Sequence, residues 1–401
     1  MKQLNLSEKV GALFFLLLSG SYAFVDIKYV MLYLVISFII FILNKGYNNW
    51  YIKQNFLITI ILAFWATFTT QIIRNDAIDN TFLLYVLYPM ANFFLLSSYT
   101  FKKFRTAVLI MISYILCVSI IVHFLYMFHI VAAEFDPYAY KFIAFKIFNV
   151  HNGDDAFLEL PLGDYYRFSS IFGEPGQLGC VLIYILVSFT DKIAQLIYTP
   201  AKLIKQFGVI FVSIVLSCST TTYLCIAMYF VGILIFDNSK RKYNFFIYIL
   251  SFAITFVFAI AIFQSSVVTE KFSQKDSKED TSYSIRMADN LACLEMTKEH
   301  PLFGLGRNTK EQRKFFLSRD NRTSSNGWLL ASASFGIFYL VYFLYVMYKG
   351  IRHINFKVNN YFILAVLIFQ QCNEAAIFLP YIFMYIFMFK RYEANKLIDS
   401  K

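Results

Sequence analysis

Apolar runs succeed one another along almost the whole chain, at about 10–25, 29–43, 55–73, 81–98, 106–130, 169–190, 207–217, 220–236, 245–263, 327–347, 360–373 and 377–389. A helix needs about 20 residues to cross the hydrocarbon core of a bilayer. Twelve such crossings use most of a 401-residue chain that is 59% hydrophobic and 15% charged. Soluble domains carry about 25% charged residues. That difference excludes an ordinary soluble enzyme, a disordered chain and a disulfide scaffold. Lipid offers no hydrogen-bond partners, so backbone groups must be satisfied within each segment and the runs should be helices. The predicted fold class is all-α: one polytopic membrane bundle over 1–401, with about 12 transmembrane helices.

Charge distribution sets the expected topology. There are 36 Lys and Arg against 25 Asp and Glu, a net charge of +11. With the N-terminus in the cytoplasm, basic groups such as Lys102, Lys103 and Arg105, or Lys240, Arg241 and Lys242, fall on cytoplasmic segments. The short outer loops hold only Lys28 and Arg74. The excess is therefore read as the signal that retains loops inside, not as a nucleic-acid surface. Basic clusters flank both 207–236 and 360–389 on one side, so each is predicted to cross twice. Both termini are then cytoplasmic. The six cysteines (Cys117, Cys180, Cys218, Cys225, Cys293 and Cys372) show no C-x-x-C spacing and read as small apolar residues. The first apolar run lacks a convincing cleavage site and is expected to stay as an anchor.

Two long outer segments remain, 131–168 and 264–325, and long loops on a packed scaffold often carry function. Within the second, 283–299 has helical spacing, with Ile285, Ala288, Leu291, Ala292, Leu294 and Met296 on one apolar side. It is predicted to lie at the outer interface.

Three strings stand out. The first is RFSSIFGEPGQLG, Arg167 to Gly179. Arg167 suits an anion and Glu174 suits polarising or deprotonating a hydroxyl; equally, Arg167 snorkels and Glu174 pairs with it. The second runs from Ser284 to Gly306 and ends HPLFGLG. Arg286 suits a lipid-linked phosphate, which a guanidinium binds through two parallel hydrogen bonds, although a loop arginine is more often simply solvated. His300 has a pKa suited to proton transfer, although a histidine there is more often a cap. The third begins SSNGW, where Asn326 and Trp328 offer a polar rim and an aromatic platform. No P-loop, G-x-G-x-x-G or H-E-x-x-H is present. No metal site and no cofactor are expected.

In this order and on this topology, the three strings resemble the bacterial O-antigen polymerase and O-antigen ligase superfamily. The carrying residues are Arg167 to Pro175, Arg286 upstream of 300–306, and Ser325-Asn326 before Gly336. Ligases of the superfamily typically have His before that Asn; here the residue is Ser325, which points to the polymerase side. The resemblance implies a glycosyltransferase in the bacterial inner membrane, acting on the outer face. Its substrate would be an oligosaccharide on undecaprenyl diphosphate. Arg167 and Arg286 would hold the diphosphate, with Glu174 first and His300 second as base. Implied partners are a flippase and a chain-length regulator. Ligase activity is the sister alternative, and a transporter or flippase of a lipid-linked polyanion is the alternative of another class.

Overall fold

Apolar residues fill the interior of this protein and also cover much of its outer face, unlike a water-soluble fold. The computed structural model describes residues 4–21, 24, 26–73, 80–132, 134–135, 140–144, 147–151, 158–160, 163–165, 167–236, 282–307, 309–317, 326–354, 356, 358–372 and 379–390. The span expected at 245–263 lies outside the described residues, as do Ser325 and Glu374. Met31, Leu32, Val35, Phe38, Ile39 and Ile42 are exposed along a single helix. An apolar face of that extent calls for a partner or a lipid. Within the bundle, the Tyr33 hydroxyl donates to Asn92 Oδ1 at 2.9 Å, and Asn92 Nδ2 donates to the Tyr88 carbonyl at 2.8 Å. Each of these interior polar groups thus has a partner, as burial demands.

The first five helices are α1 (Leu6–Leu17), α2 (Ile27–Leu43), α3 (Ile52–Thr67, continuing as a π-helical turn Phe68–Ile73), α4 (Asn80–Ser97) and α5 (Phe101–Met127). Side chains close the amide ends that a helix start leaves open. Asn5 Oδ1 accepts from the Glu8 amide at 2.9 Å, and Glu8 accepts from the Asn5 amide at 3.1 Å. Asp26 caps α2 in the same way. α4 packs between α2 and α3, and α1 packs on α5.

The segment after α5, expected as a long outer loop, holds short strands. They are β1 (Glu134–Phe135), β2 (Tyr140–Ala144), β3 (Phe148–His151), β4 (Leu158–Leu160), β5 (Gly163–Tyr165) and β6 (Arg167–Ser170). Four form an antiparallel sheet in the order β1-β2-β3-β6, with His151 opposite Arg167; β4 and β5 form a hairpin. The chain then re-enters the bundle as α6 (Pro175–Ser188), bends by 76° into α7 (Thr190–Leu196), and continues as α8 (Pro200–Ser217) and α9 (Thr220–Phe236). After residues 237–281 come α10 (Ser282–Glu299), α11 (Lys310–Leu317), α12 (Gly327–Phe335), α13 (Ile337–Ile354), α14 (Asn360–Gln371) and the four-residue α15 (Pro380–Phe383).

Among the described residues, three helices are long and apolar enough to cross a membrane: Ile52–Gln71, Phe101–Met127 and Pro200–Ser217. The bent pair α6–α7 makes a fourth, and several shorter apolar helices accompany them. This is a helical membrane protein, but the expected count of twelve spans is not reproduced. Two expected spans are not single helices. Residues 327–347 break at Gly336 into α12 and α13. Residues 377–389 were expected as a helix, yet beyond α15 the chain runs through turns and irregular backbone with Tyr381 to Phe389 all buried. Irregular backbone survives at this depth only when protein replaces water. Here Asn55 exchanges two hydrogen bonds with Met388, donating to its carbonyl at 2.8 Å and accepting from its amide at 2.9 Å. Asn49 Nδ2 adds a bond to the same carbonyl at 3.2 Å, the Lys390 amide donates to the Tyr99 carbonyl at 2.9 Å, and the Tyr385 hydroxyl donates to the Tyr184 carbonyl.

Arg105 was counted above among loop cations; it is buried instead. Its Nη1 and Nη2 grip the Asp191 carboxylate at 2.6 and 2.8 Å, and Nη1 also donates to the Ser188 carbonyl at 2.6 Å. The Phe101 and Phe189 rings lie 5.4 and 4.8 Å from the guanidinium carbon. The group therefore occupies the corner between α6 and α7 and satisfies the last carbonyl of α6. Arg105→Ala is expected to destabilise the protein by about 3 kcal/mol. That lies at the low end for a broken buried pair, since the Asp191 side chain is 32% exposed. Unfolding of the purified variant in detergent, followed by circular dichroism, measures the loss.

Candidate functional site

The end of β6, the break between α8 and α9, the end of α14 and the start of α12 meet at one end of the bundle. Arg167 on β6 is half-buried and its Nε donates to the Ser217 carbonyl at 3.3 Å, at the C-terminus of α8. A cation there is favoured by the negative end of the helix dipole. Cys218 follows in the left-handed region (φ 48°) and starts the reversal into α9. Thr222 on the first turn of α9 donates to Ser219 Oγ at 3.0 Å and accepts from Gln370 Nε2 at 3.5 Å. Gln370 reaches Cys180 Sγ on α6 at 3.4 Å. Two residues earlier on α14, the Ile368 carbonyl accepts from Trp328 Nε1 at 2.9 Å. Gln370 and Gln371 are fully buried.

Glu174 is the residue preceding α6, extended at φ −134° and ψ 153°. Its carbonyl starts the helix by accepting from the Leu178 amide at 3.0 Å. Its side chain is half-buried and makes no capping hydrogen bond. It also makes no ion pair among the described residues, so Arg167 does not neutralise it. The turn before it is anchored from α1, since the Gly173 amide donates to the Gly20 carbonyl at 3.2 Å.

Asn326 and Trp328 were read as a rim for sugar, and the structure gives both another use. Asn326 Oδ1 accepts from the amides of Trp328 and Leu329, each at 3.1 Å, and so caps α12. Trp328 is 6% exposed and meets the Phe343 ring edge-on at 6.1 Å. An open aromatic platform is therefore absent at Trp328.

The HPLFGLG string explains the break at Gly336. A helix end leaves its last four carbonyls open, which is costly away from water. In α12 all four find donors. Ser332 accepts from the Gly336 amide (2.8 Å), Ala333 from the Leu305 amide (2.9 Å), Ser334 from the Gly306 amide (2.8 Å) and Phe335 from Trp65 Nε1 (2.9 Å). The Ile337 amide in turn donates to the Pro301 carbonyl at 2.8 Å. Only a residue without a side chain fits at Gly336: φ is +88°, and a Cβ there would stand 2.0 Å from the Leu302 oxygen. The motif is thus the closure of a broken helix.

The same contacts orient α10. Thr297 meets Ser332 at 2.9 Å and Pro301 meets Ile337, so α10 and α12 run in parallel. Ala292, Cys293 and Met296 pack against Leu330 and Ala333. Of the apolar side expected for this helix, Leu291 and Leu294 instead face outward with Met287, each about half exposed. Arg286, half-buried, lies eleven residues before Thr297, or about 16 Å along the helix; Asn326 lies six before Ser332, or about 9 Å. Arg286 thus stands beyond the start of α12. His300 lies at the opposite end of α10, about 21 Å from Arg286 along the axis. Its carbonyl accepts from the Gly304 amide at 3.0 Å, which makes it part of the closing turn. One phosphate cannot touch both residues, and this separates His300 from the expected diphosphate.

The family model described as O-antigen ligase matches residues 207–344, from within α8 to the first half of α13. Through this stretch the chain is similar to O-antigen ligases, in keeping with the resemblance carried by its three strings. The matched part contains Arg286, the HPLFGLG closure and the cap of α12; Arg167 and Glu174 lie before it. Comparisons with curated proteins and with solved structures return no match.

Gly336→Ala is expected to abolish folded protein, because neither the positive φ nor the 2.0 Å approach can be relieved locally. Membrane-inserted, detergent-extractable yield measured by fluorescence size exclusion should fall below one-tenth of the parent.

Proposed function

We propose that this membrane protein is a glycosyltransferase that polymerises undecaprenyl-diphosphate-linked repeat units on the outer face of the bacterial inner membrane. What supports this reading is the chain of contacts that runs from the β6 corner carrying Arg167 to α10, the helix that carries Arg286. β6 with Arg167 is tied to α8, and α9, α14 and α12 link that corner to α10. Two guanidinium groups would neutralise the diphosphate as negative charge develops on it. Glu174, a carboxylate without a capping hydrogen bond at the mouth of α6, would take the proton of the acceptor hydroxyl as its oxygen attacks the anomeric carbon. The sugar–phosphate bond breaks, and the lipid diphosphate leaves with its electron pair. No nucleotide is needed, because the donor arrives with its leaving group attached.

Ligation of finished polymer to a lipid acceptor is the second reading, and the family description favours it. Ser325, where ligases typically carry His, argues for polymerisation. Partners consistent with either reading are the flippase that delivers the donor and, for polymerisation, a chain-length regulator.

In cells lacking the parent gene, Arg167→Ala and Arg286→Ala should insert normally yet give surface glycan stopped at one repeat. Full ladders on a gel with either variant remove that arginine from the reaction. Ligase activity predicts a different phenotype, long polymer accumulating on the lipid carrier. Glu174→Gln should lower turnover on purified lipid-linked repeats about 10²- to 10⁴-fold while donor binding stays within twofold. Unchanged turnover returns Glu174 to a purely structural place.

A further inference from the structure

Arg307 follows directly on the closing turn. Its Nε donates to the Tyr85 hydroxyl of α4 at 2.7 Å, which fixes the side chain. The two Nη groups make no hydrogen bond or ion pair among the described residues, and the residue is half-buried. A planar guanidinium anchored through Nε presents its other two nitrogens as a fork suited to phosphate.

The neighbouring wall also lacks partners. Thr69 and Thr70 are 0% and 2% exposed, and neither hydroxyl finds a hydrogen bond. Elsewhere in α3, Thr59 and Thr67 donate to carbonyls four residues back, at 2.9 and 2.7 Å. Thr69 and Thr70 sit in the π-helical turn Phe68–Ile73, whose altered register withdraws that partner. Thr70 Oγ1 stands 3.4 Å from where a Cβ of Gly306 would lie, beside Arg307. Lys310 and Lys314, exposed on α11, add positive potential nearby. Next to this polar patch is apolar surface. Phe64 is 61% exposed and stacks on Phe68 at 5.8 Å, Phe68 meets Phe303 at 5.7 Å, and Leu302 is 51% exposed. A phosphate fork beside exposed apolar surface suits an amphiphile with a phosphorylated head.

We infer that Arg307, Thr69 and Thr70 form a second seat for a lipid-linked phosphate, that of the acceptor. This rests on the polymerisation reading, in which both sugar chains carry a lipid diphosphate. α10 keeps the two seats apart: Arg286 is at its start, and the closing turn with Arg307 is beyond its end. The growing chain and the incoming unit would each be held by the phosphate, and the acceptor's glycan would reach from its own seat to the anomeric carbon beside the donor diphosphate.

The test is a titration of the purified full chain, in detergent free of phospholipid, with farnesyl diphosphate. The wild type should bind two equivalents. Arg307→Gln should bind one, Arg286→Ala the other one, and the double variant none. Arg307→Lys, which keeps the charge and loses the fork, should weaken the second equivalent about tenfold, as loss of one charge-assisted hydrogen bond does. Thr70→Val, which leaves the Arg307–Tyr85 bond in place, should also weaken the second equivalent and decides the matter if Arg307→Gln fails to fold. Two unchanged equivalents in both Arg307→Gln and Thr70→Val overturn the inference. A single wild-type equivalent that Arg286→Ala removes does the same, and leaves the polymerase reading standing. No binding by the wild type defeats that reading itself. Displacement of the second equivalent by phosphatidylglycerol as readily as by farnesyl diphosphate identifies a bilayer headgroup seat and overturns the acceptor assignment.

Discussion

Away from water, a peptide carbonyl without a donor is the most expensive thing this fold could contain. Its irregular parts are organised around avoiding that cost. Where α12 stops, three amides of the chain and one indole take its four open carbonyls. Where the chain from Met384 to Lys390 gives up helical hydrogen bonding, Asn49, Asn55 and Tyr99 supply replacements. Where α6 bends into α7, Arg105 takes the Ser188 carbonyl while it grips Asp191. In each case, side chains or backbone from remote parts of the sequence make a break tolerable.

That arrangement changes what the conspicuous motifs mean. Gly304, Gly306 and Gly336 make a turn and a helix end fit each other, and His300-Pro301 begins that turn. In the proposed reading the chemistry falls to side chains that flank the closure: Arg286 upstream on α10, and Arg307 immediately downstream. Asn326 behaves similarly, its amide oxygen committed to two backbone amides. A motif in a membrane protein can thus be recognisable because the backbone requires it, while groups proposed to bind substrate stand as far as about four turns away.

Much of this was legible in the sequence. The apolar runs locate α1 to α9 closely, since lipid imposes hydrophobicity on any segment that faces it. The stretch Ser282–Glu299 was readable from its spacing, although not its orientation, because Leu291 and Leu294 serve lipid as well as they would serve a core. The run PYIFMYIFMF at 380–389 reads as a helix by every apolar criterion. Hydropathy reports the solvent around a segment and not its backbone hydrogen bonds, and those come from Asn49 and Asn55 more than three hundred positions away. Arg105 was misread for the same reason: its partner Asp191 is 86 residues distant. The strands between Glu134 and Ser170 carry too few residues each for alternation to register.

The amide clamp of Asn55 on Met388 has a consequence for biogenesis. The two residues are separated by 333 positions. During synthesis, α3 enters the bilayer long before residue 388 exists, and Asn55 on it and Asn49 just before it face a slot that residue 388 has yet to fill. Until the chain around 384–390 arrives, that slot must hold water or the insertion machinery. The interior is therefore sealed late, by a stretch of polypeptide that has no helical structure of its own to insert and takes its shape from a mould already set.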